Sequence, residues 1–509
     1  MSSAPVVRCG PDERTHLEVK DRSARLATAL AEMGVRHGDR YAIVMRNEIA
    51  FLEATLAGAA NGAVPVPVNW HWTCEDLAHL LIDSTSKVVI VHTDLLSAVE
   101  AILPEGVRII EAPVPQHVAD EYGFARPDPT GRHLELEALI ANSEPVATAI
   151  TDPPLSIIYT SGTTGRPKGI LRQPVAPETA STMAELVMTG LALEPSMSTL
   201  IPAPLYHTAP NVHATFAVAL GMDLEIMARF DAEKLLALVD DRRINHVQMV
   251  PTMFVRLLRL APEIRSRYDL SSLMSVVHAA APCPREIKQK VIDWLGPIVH
   301  EFYGGSETAM VVACTSAQWL AHPGTVGRPI GDAAVTIVGD DGAELPPGEV
   351  GEIYLKPFSA WPDFTYLGNE AKRRDMERDG FVTIGDIGYV DAEGYVFLED
   401  RRNDMIISGG VNIYPAEIEA CIVELDTVAD VAVFGVLHPE FGETIAAHVE
   451  PVPGSTVEPA AIRAHVAGRL AKYKVPSIVI VEKELPREDS GKLFKRKLRE
   501  PYWKDPVDA

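Results

Sequence analysis

The segment Thr160-Ser161-Gly162-Thr163-Thr164-Gly165-Arg166-Pro167-Lys168-Gly169 concentrates what an oligophosphate needs. Glycines let the backbone approach a phosphate closely, successive amide hydrogens form an anion-binding concavity, and hydroxyls together with Lys168 add donors and positive charge. It is not a Walker A loop, because Gly169 follows the lysine where that motif requires Ser or Thr. An ordinary Gly/Thr turn has no reason to carry this density of donors.

Four further segments hold chemistry-bearing residues: Pro204-Leu205-Tyr206-His207, Tyr303-Gly304-Gly305-Ser306-Glu307-Thr308, Gly385-Asp386-Ile387-Gly388-Tyr389, and Asp400 to Gly410 with Glu417 beyond it. A last one, Ser490-Gly491-Lys492, lies beside the basic residues Lys495, Arg496, Lys497 and Arg499. In this order, together with the glycine-rich loop, they resemble the adenylate-forming family of acyl-CoA synthetases, aryl-CoA ligases, luciferases and peptide-synthetase adenylation domains. The resemblance covers nearly the whole chain, although its first residues are abbreviated against the family's usual opening. It implies the acid–CoA ligase branch: ATP and Mg²⁺ activate a carboxylic acid as its acyl-adenylate, pyrophosphate leaves, and coenzyme A, a co-substrate, takes the acyl group.

Such chemistry brings a carboxylate against a triphosphate. At ~4 Å and an effective dielectric of ~20, one unneutralised pair of charges costs about 4 kcal/mol, roughly a thousandfold in rate. Positive charge is therefore the main catalytic requirement, while the carboxylate, already a nucleophile at neutral pH, needs no general base. By resemblance, Lys492 bridges carboxylate and α-phosphate, and the outer members of the basic cluster read as a solvated helix end. Glu307 would hold Mg²⁺, a hard oxygen ligand for a hard cation.

The resemblance assigns ATP to Thr160, Ser161, Gly162, Thr163, Thr164, Gly165, Lys168, Tyr303, Gly304, Ser306, Asp386 and Arg401. Within that set Tyr303 stacks on adenine, Asp386 accepts from ribose hydroxyls, and Arg401 contacts ribose or phosphate. His207 gates the acyl channel, and Asn211, Ala279, Ala280, Ala281 and Gly304 line the acid pocket. Ser408, Gly409 and Gly410 line a pantetheine tunnel, and Asn403, where the family often has Asp or Lys, is the hinge. Val247 to Leu260 is apolar, which tilts the acid toward a fatty, aryl or steroid-like one. The same first half-reaction also serves an amide bond synthetase passing the acyl group to an amine, and more distantly a luciferase-type monooxygenase. A retired enzyme acting as a nucleotide sensor is the reading from another class. Intact Lys168, Glu307, Asp386, Arg401 and Lys492 argue against it.

The elements that must position these residues are legible as patterns. Helical stretches such as Ala24 to Met33 alternate with short apolar runs such as Tyr41 to Met45, and the alternation returns from Leu155 to Tyr303 through Leu155 to Tyr159, His246 to Val250, Pro284 to Leu295 and Ser275 to Ala279. These read as βα units around parallel sheets. After Thr325 hairpins follow, as at Ala334 to Val338, Glu352 to Lys356, Phe381 to Val390 and Gly394 to Glu399. Pro104 to Pro154, rich in proline, reads as a surface excursion. The fold class expected is α/β: a large N-terminal domain of parallel-type βα subdomains plus a β-rich segment, residues 1–402, then a small mobile α+β domain, 403–509, with the hinge near 401–404.

At 509 residues the chain exceeds what one hydrophobic core supports. Its formal net charge of -24 repels nucleic acid and anionic membranes, so a nucleotide site must gather positive charge locally. Five scattered cysteines without a C-x-x-C pair suggest neither a disulfide framework nor a zinc site and fit a reducing cytoplasm. Met-Ser-Ser-Ala-Pro lacks the apolar stretch of a signal peptide, and no run approaches the ~18 apolar residues of a membrane span. Small-molecule acid and acceptor are the partners expected, with a homodimer left open.

Overall fold

Short Val- and Ile-rich runs, too apolar to face water on either side, become the strands of parallel sheets covered by helices. The computed structural model describes the chain except residues 1–3, 73, 147–149, 151–152, 161–166, 402–403, 409–410, 439–440, 488–492 and 505–509, and except the side chains at 400, 401, 407, 411, 412, 496, 503 and 504. The first sheet is parallel throughout, in the order Val64–Pro67, Arg40–Val44, Val88–His92, Arg108–Ala112, Leu134–Glu135. The fourth of these strands corrects the expectation of a surface excursion after Pro104. Ile109 and Ile110 are buried in the sheet, helices Gln116–Tyr122 and Leu136–Asn142 follow, and the prolines fall in the connections.

The second sheet carries the site. Val6–Cys9, Asp223–Ile226, Ser198–Ile201, His246–Met249, Ser275–His278 and Val299–Gly305 lie side by side in parallel. The direction then reverses through Ala309–Cys314 and Thr325–Pro329 into Val396–Arg401, Phe381–Val390, Gly351–Lys356 and Ala334–Val338. The expected β-rich segment is thus continuous with the parallel strands, because Thr325–Pro329 pairs on one side with Val396–Arg401 and on the other with Ala309–Cys314, which pairs with Val299–Gly305.

Two readings change. Leu155 to Tyr159 does not start a βα unit: strand Ile158–Thr160 pairs antiparallel with Lys168–Arg172, which pairs with Phe364–Tyr366. The strands on either side of the glycine-rich segment are therefore antiparallel neighbours, and a strand, not a helix, follows it. The apolar run near Val247 to Leu260 is core: helix Pro251–Arg259 turns Met253, Phe254 and Leu257 onto Leu235, Val239 and Val291, an amphipathic face on a sheet. These side chains say nothing about the acid.

The C-terminal residues build a separate sheet of Val411–Ile413, Ile406–Ser408, Gly442–Pro451 and Val428–His438, with Ile478–Val481 added in parallel. Ile418, Ile422, Ile462 and Val466 from helices Pro415–Val423 and Pro459–Ala467 fill its core. The basic cluster after Lys492 is not simply solvated. Lys495 meets Glu419 at 2.8 Å and Arg499 meets Glu443 at 3.2 Å, so helix Lys495–Lys504 is pinned to this unit. Arg259 of the large unit donates to the carbonyls of Val428, at 3.3 Å, and Ala429. Among the described residues no helix is long and apolar enough to cross a membrane.

Candidate active site

Strand Val299–Gly305 ends in a turn that reverses it into Ala309–Cys314, and this turn presents Ser306 and Glu307. A register shift falls between Tyr303 and Gly304, and Gly305 N donates to Thr308 Oγ1 at 3.0 Å. A Cβ on Gly304 would overlap the carbonyl oxygen of Ala309, so only glycine permits this approach. We expect Gly304→Ala to move the turn and lower kcat/KM at least about tenfold. Circular dichroism should stay near wild type; full activity in a folded variant would show that the turn tolerates the methyl.

Tyr303 donates its hydroxyl to Asp386 Oδ2 at 2.8 Å, and both side chains are buried. Asp386 lies opposite Arg401 in the neighbouring strand. Two residues assigned to the nucleoside, from segments about eighty residues apart, therefore meet, and the backbone of a third lies opposite one of them. Thr208 and Ser306 share a hydroxyl hydrogen bond of 2.8 Å, which ties the start of helix Thr208–Ala219 to the same turn. His207 precedes that helix, its ring 4.6 Å from that of Tyr206.

Asn211 has a bracing position. Its amide donates to Leu205 O at 3.0 Å and its oxygen accepts from Ser156 Oγ at 3.0 Å, so its polar atoms join the 204–207 segment to the residues leading into the glycine-rich loop. Asn47, which the sequence did not single out, holds the same segment. It donates to Ala203 O at 2.9 Å and Met227 O at 3.0 Å and accepts from Leu205 N at 2.8 Å. Ala279 is buried at the end of strand Ser275–His278, whereas Ala280 and Ala281 are exposed, Ala280 at φ 73°.

Around Glu307 the structure collects groups from distant elements. Tyr366 donates to Glu307 Oε1 at 2.8 Å, and burial, then the carboxylate, push its phenol well up. Buried Arg172 donates to Glu307 O at 3.1 Å and to Ser306 O, and burial pushes its guanidinium down to about 10 against the pull of Glu307. Lys168 opens the strand that carries Arg172. Lys372, on helix Glu370–Asp375, faces Lys168; burial first and that second ammonium next push Lys372 down to about 8, with Glu307 opposing. Arg172, Tyr366 and Lys372 carried no motif signal. The hairpin flanking the loop is itself anchored: Tyr159 donates to Asp83 at 2.6 Å, and His79 Nε2 lies 3.1 Å from Pro167 O.

Ser161, Gly162, Thr163, Thr164, Gly165, Asn403, Gly409, Gly410 and Lys492 lie outside the described residues, as does the side chain of Arg401; Thr160 flanks the loop and Ser408 ends strand Ile406–Ser408. Elsewhere, Cys421, Glu424 and His465 place possible ligand atoms within 4.8 Å of one another. Arg469 fills the place of a cation there, 2.9 Å from Glu424 and donating to His465 Nδ1 at 3.1 Å.

A parallel sheet that turns antiparallel at a Gly-Gly-Ser-Glu corner, beside a glycine-rich hairpin and basic side chains, with a small α+β unit after it, is the architecture of adenylate-forming enzymes. Residues 2–358 match the model of the AMP-binding enzymes and residues 417–492 that of the AMP-binding enzyme C-terminal domain. A feruloyl-CoA synthase of Amycolatopsis sp. is 34% identical over 501 residues, 98% of this chain and 96% of that protein. The long-chain-fatty-acid–CoA ligase FadD13 of Mycobacterium tuberculosis is 32% identical over 493 residues, 96% and 93% of the two chains. ATP-bound MatB from Rhodopseudomonas palustris superposes with a TM-score of 0.82 at 28% identity, covering 99% of this chain and 97% of that one. The chain belongs to the AMP-binding enzyme family.

Proposed function

We propose that the chain is an AMP-forming acid–CoA ligase. A carboxylate oxygen of the acid attacks the α-phosphorus of ATP, pyrophosphate leaves, and the thiol sulfur of coenzyme A then displaces AMP from the acyl carbon. The observation that carries this reading is the meeting of separate motifs at one corner, through Thr208 with Ser306 and Tyr303 with Asp386, beside Glu307 and Lys168. Relatives named for feruloyl and long-chain fatty acids support an aryl or fatty acid as the substrate class.

Tyr303 and Asp386 would hold adenosine, with the hydroxyl bond between them fixing the tyrosine ring; Lys168 and the loop would hold the phosphates. Glu307 suits Mg²⁺ as a single carboxylate whose other partners would be phosphate oxygens and water, since this ion keeps several waters and seldom sits in an all-protein cage. Mg²⁺ would neutralise part of the triphosphate's charge. His207, at the start of helix Thr208–Ala219, would gate the entry of the acid, and Lys492 would bridge the two anions.

The division into residues 1–402 and 403–509 is supported by where the sheets end: Val396–Arg401 belongs to the large sheet and Ile406–Ser408 to the small one. A hinge at Asn403 would let the small unit rotate between half-reactions, bringing Ser408, Gly409 and Gly410 to the pantetheine path. Asn403→Pro, which fixes φ, should slow thioester formation several-fold more than adenylation; equal rates in stopped-flow assays of the two steps would move the hinge elsewhere. The cysteines among the described residues are free thiols, which supports a reducing compartment.

Mass spectrometry of products formed with Mg-ATP and mixed fatty, aryl and steroid acids, offering coenzyme A and simple amines in parallel, tests the reading. A thioester establishes it and names the acid. Amides without thioester would make the protein an amide bond synthetase, and ATP binding without pyrophosphate release would make it a sensor.

A further inference from the structure

We infer that Lys372 is a second phosphate-binding lysine, which acts with Lys168 on the β- and γ-phosphates of ATP and on the departing pyrophosphate. The inference rests on the adenylating reading for its substrate, but its geometry is independent of the motifs. Lys372 comes from the short helix Glu370–Asp375, whose start is held by Asn369 accepting from Lys372 N at 3.1 Å. The preceding strand, Phe364–Tyr366, pairs with Lys168–Arg172, and Leu367 N donates to Gly169 O at 2.9 Å. These bonds dock residue 372 beside the residue that closes the glycine-rich hairpin. Its ammonium lies 4.9 Å from the centre of the Tyr366 ring, and the Tyr366 hydroxyl binds Glu307.

Lys372 thus stands over the phenol that engages Glu307, on a segment leading from the strand paired with the one that Lys168 opens, so two lysines serve the surroundings of one carboxylate. Burial first, then the like charge of Lys168, leave the Lys372 proton held more loosely than an ordinary lysine's. In a protein of net charge -24, lysines are not drawn together by a general need for positive charge at the surface. A polyanion between them removes the repulsion, and Mg²⁺ at Glu307 would leave the outer phosphates in need of further cations. AMP, which lacks those phosphates, would gain nothing from Lys372.

The test compares ATP and AMP binding to the full chain by titration calorimetry with Mg²⁺ at pH 7, using wild type, Lys372→Met and Lys372→Arg. The expected result is ATP affinity lowered about ten- to a hundredfold in Lys372→Met, AMP affinity unchanged, and partial recovery in Lys372→Arg. Inorganic pyrophosphate should lose affinity in parallel with ATP. Unchanged ATP affinity in Lys372→Met would overturn the inference, and so would an equal fall for ATP and AMP, which would mean that Lys372 only supports the Tyr366 ring. Because the readout is binding, it decides the role of Lys372 even if no acid is ever adenylated, and that second failure would strike the proposed function alone.

Discussion

Replacing Lys492 by alanine should slow adenylation by about two to three orders of magnitude while leaving thioester formation from a preformed acyl-adenylate close to wild type. The first step alone brings a carboxylate against an α-phosphate, and a single charge placed at that contact is worth this much where water is excluded. In the second step pyrophosphate has gone and AMP is the leaving group, and with the small unit rotated as proposed Lys492 would no longer stand at the phosphate from which the acyl group departs. Quenched-flow measurement of pyrophosphate release, beside thioester formation from synthetic adenylate, separates the two. Equal losses in both would mean that Lys492 maintains the small unit's fold and does not touch the reacting groups. The basic residues that follow it make that alternative concrete, since Lys495 and Arg499 are engaged with Glu419 and Glu443. Lys495→Ala is the control: it should lower stability slightly and spare the ratio of the two rates.

What could be read in advance was whatever has a local signature. Val88–His92 is a strand because the uninterrupted β-branched run Val88 to Val91 leaves no polar face, and helix Arg285–Leu295 announces itself by its period. Tyr303, Glu307, Asp386 and Lys168 stood out because their motifs are compact. Arg172, Tyr366 and Lys372 did not, because their proximity to Glu307 depends on strand Phe364–Tyr366 pairing with Lys168–Arg172, across nearly two hundred residues of chain. Nothing near residue 372 encodes that register. Arg108–Ala112 was hidden for the opposite reason: five residues between proline-rich connections are too few to show a period. The run from Val247 to Leu260 misled because apolar content alone does not distinguish a channel wall from the core-facing stripe of a helix, and the burial of Met253, Phe254 and Leu257 makes it the latter.

Behind the site the second large effect concerns stability. Lys288 of helix Arg285–Leu295 and Glu301 of strand Val299–Gly305 form an ion pair at 2.5 Å, both almost wholly buried, 1% and 7% exposed at the side chain. Trp319 lies 5.4 Å from the ammonium, and buried His278 lies 3.6 Å from the carboxylate. Burial raises the Glu301 carboxyl while Lys288 opposes that shift, so each charge depends on the other. Glu301→Leu should therefore lower stability by about 3–5 kcal/mol, since it strands an ammonium in the core, and depress the thermal midpoint by several degrees. The double variant Lys288→Met/Glu301→Leu removes both charges and keeps the volume, and should recover most of that loss or exceed wild type. Scanning calorimetry of the two variants checks this. If the double variant is as unstable as the single one, the damage comes from altered packing against Trp319 and His278 and not from an unpaired charge. The same comparison bears on activity, because Glu301 stands two residues before Tyr303 on the strand that delivers the Gly-Gly-Ser-Glu corner. A double variant that is stable but slow would show that the ion pair fixes the register of that strand, and through it the placement of Glu307.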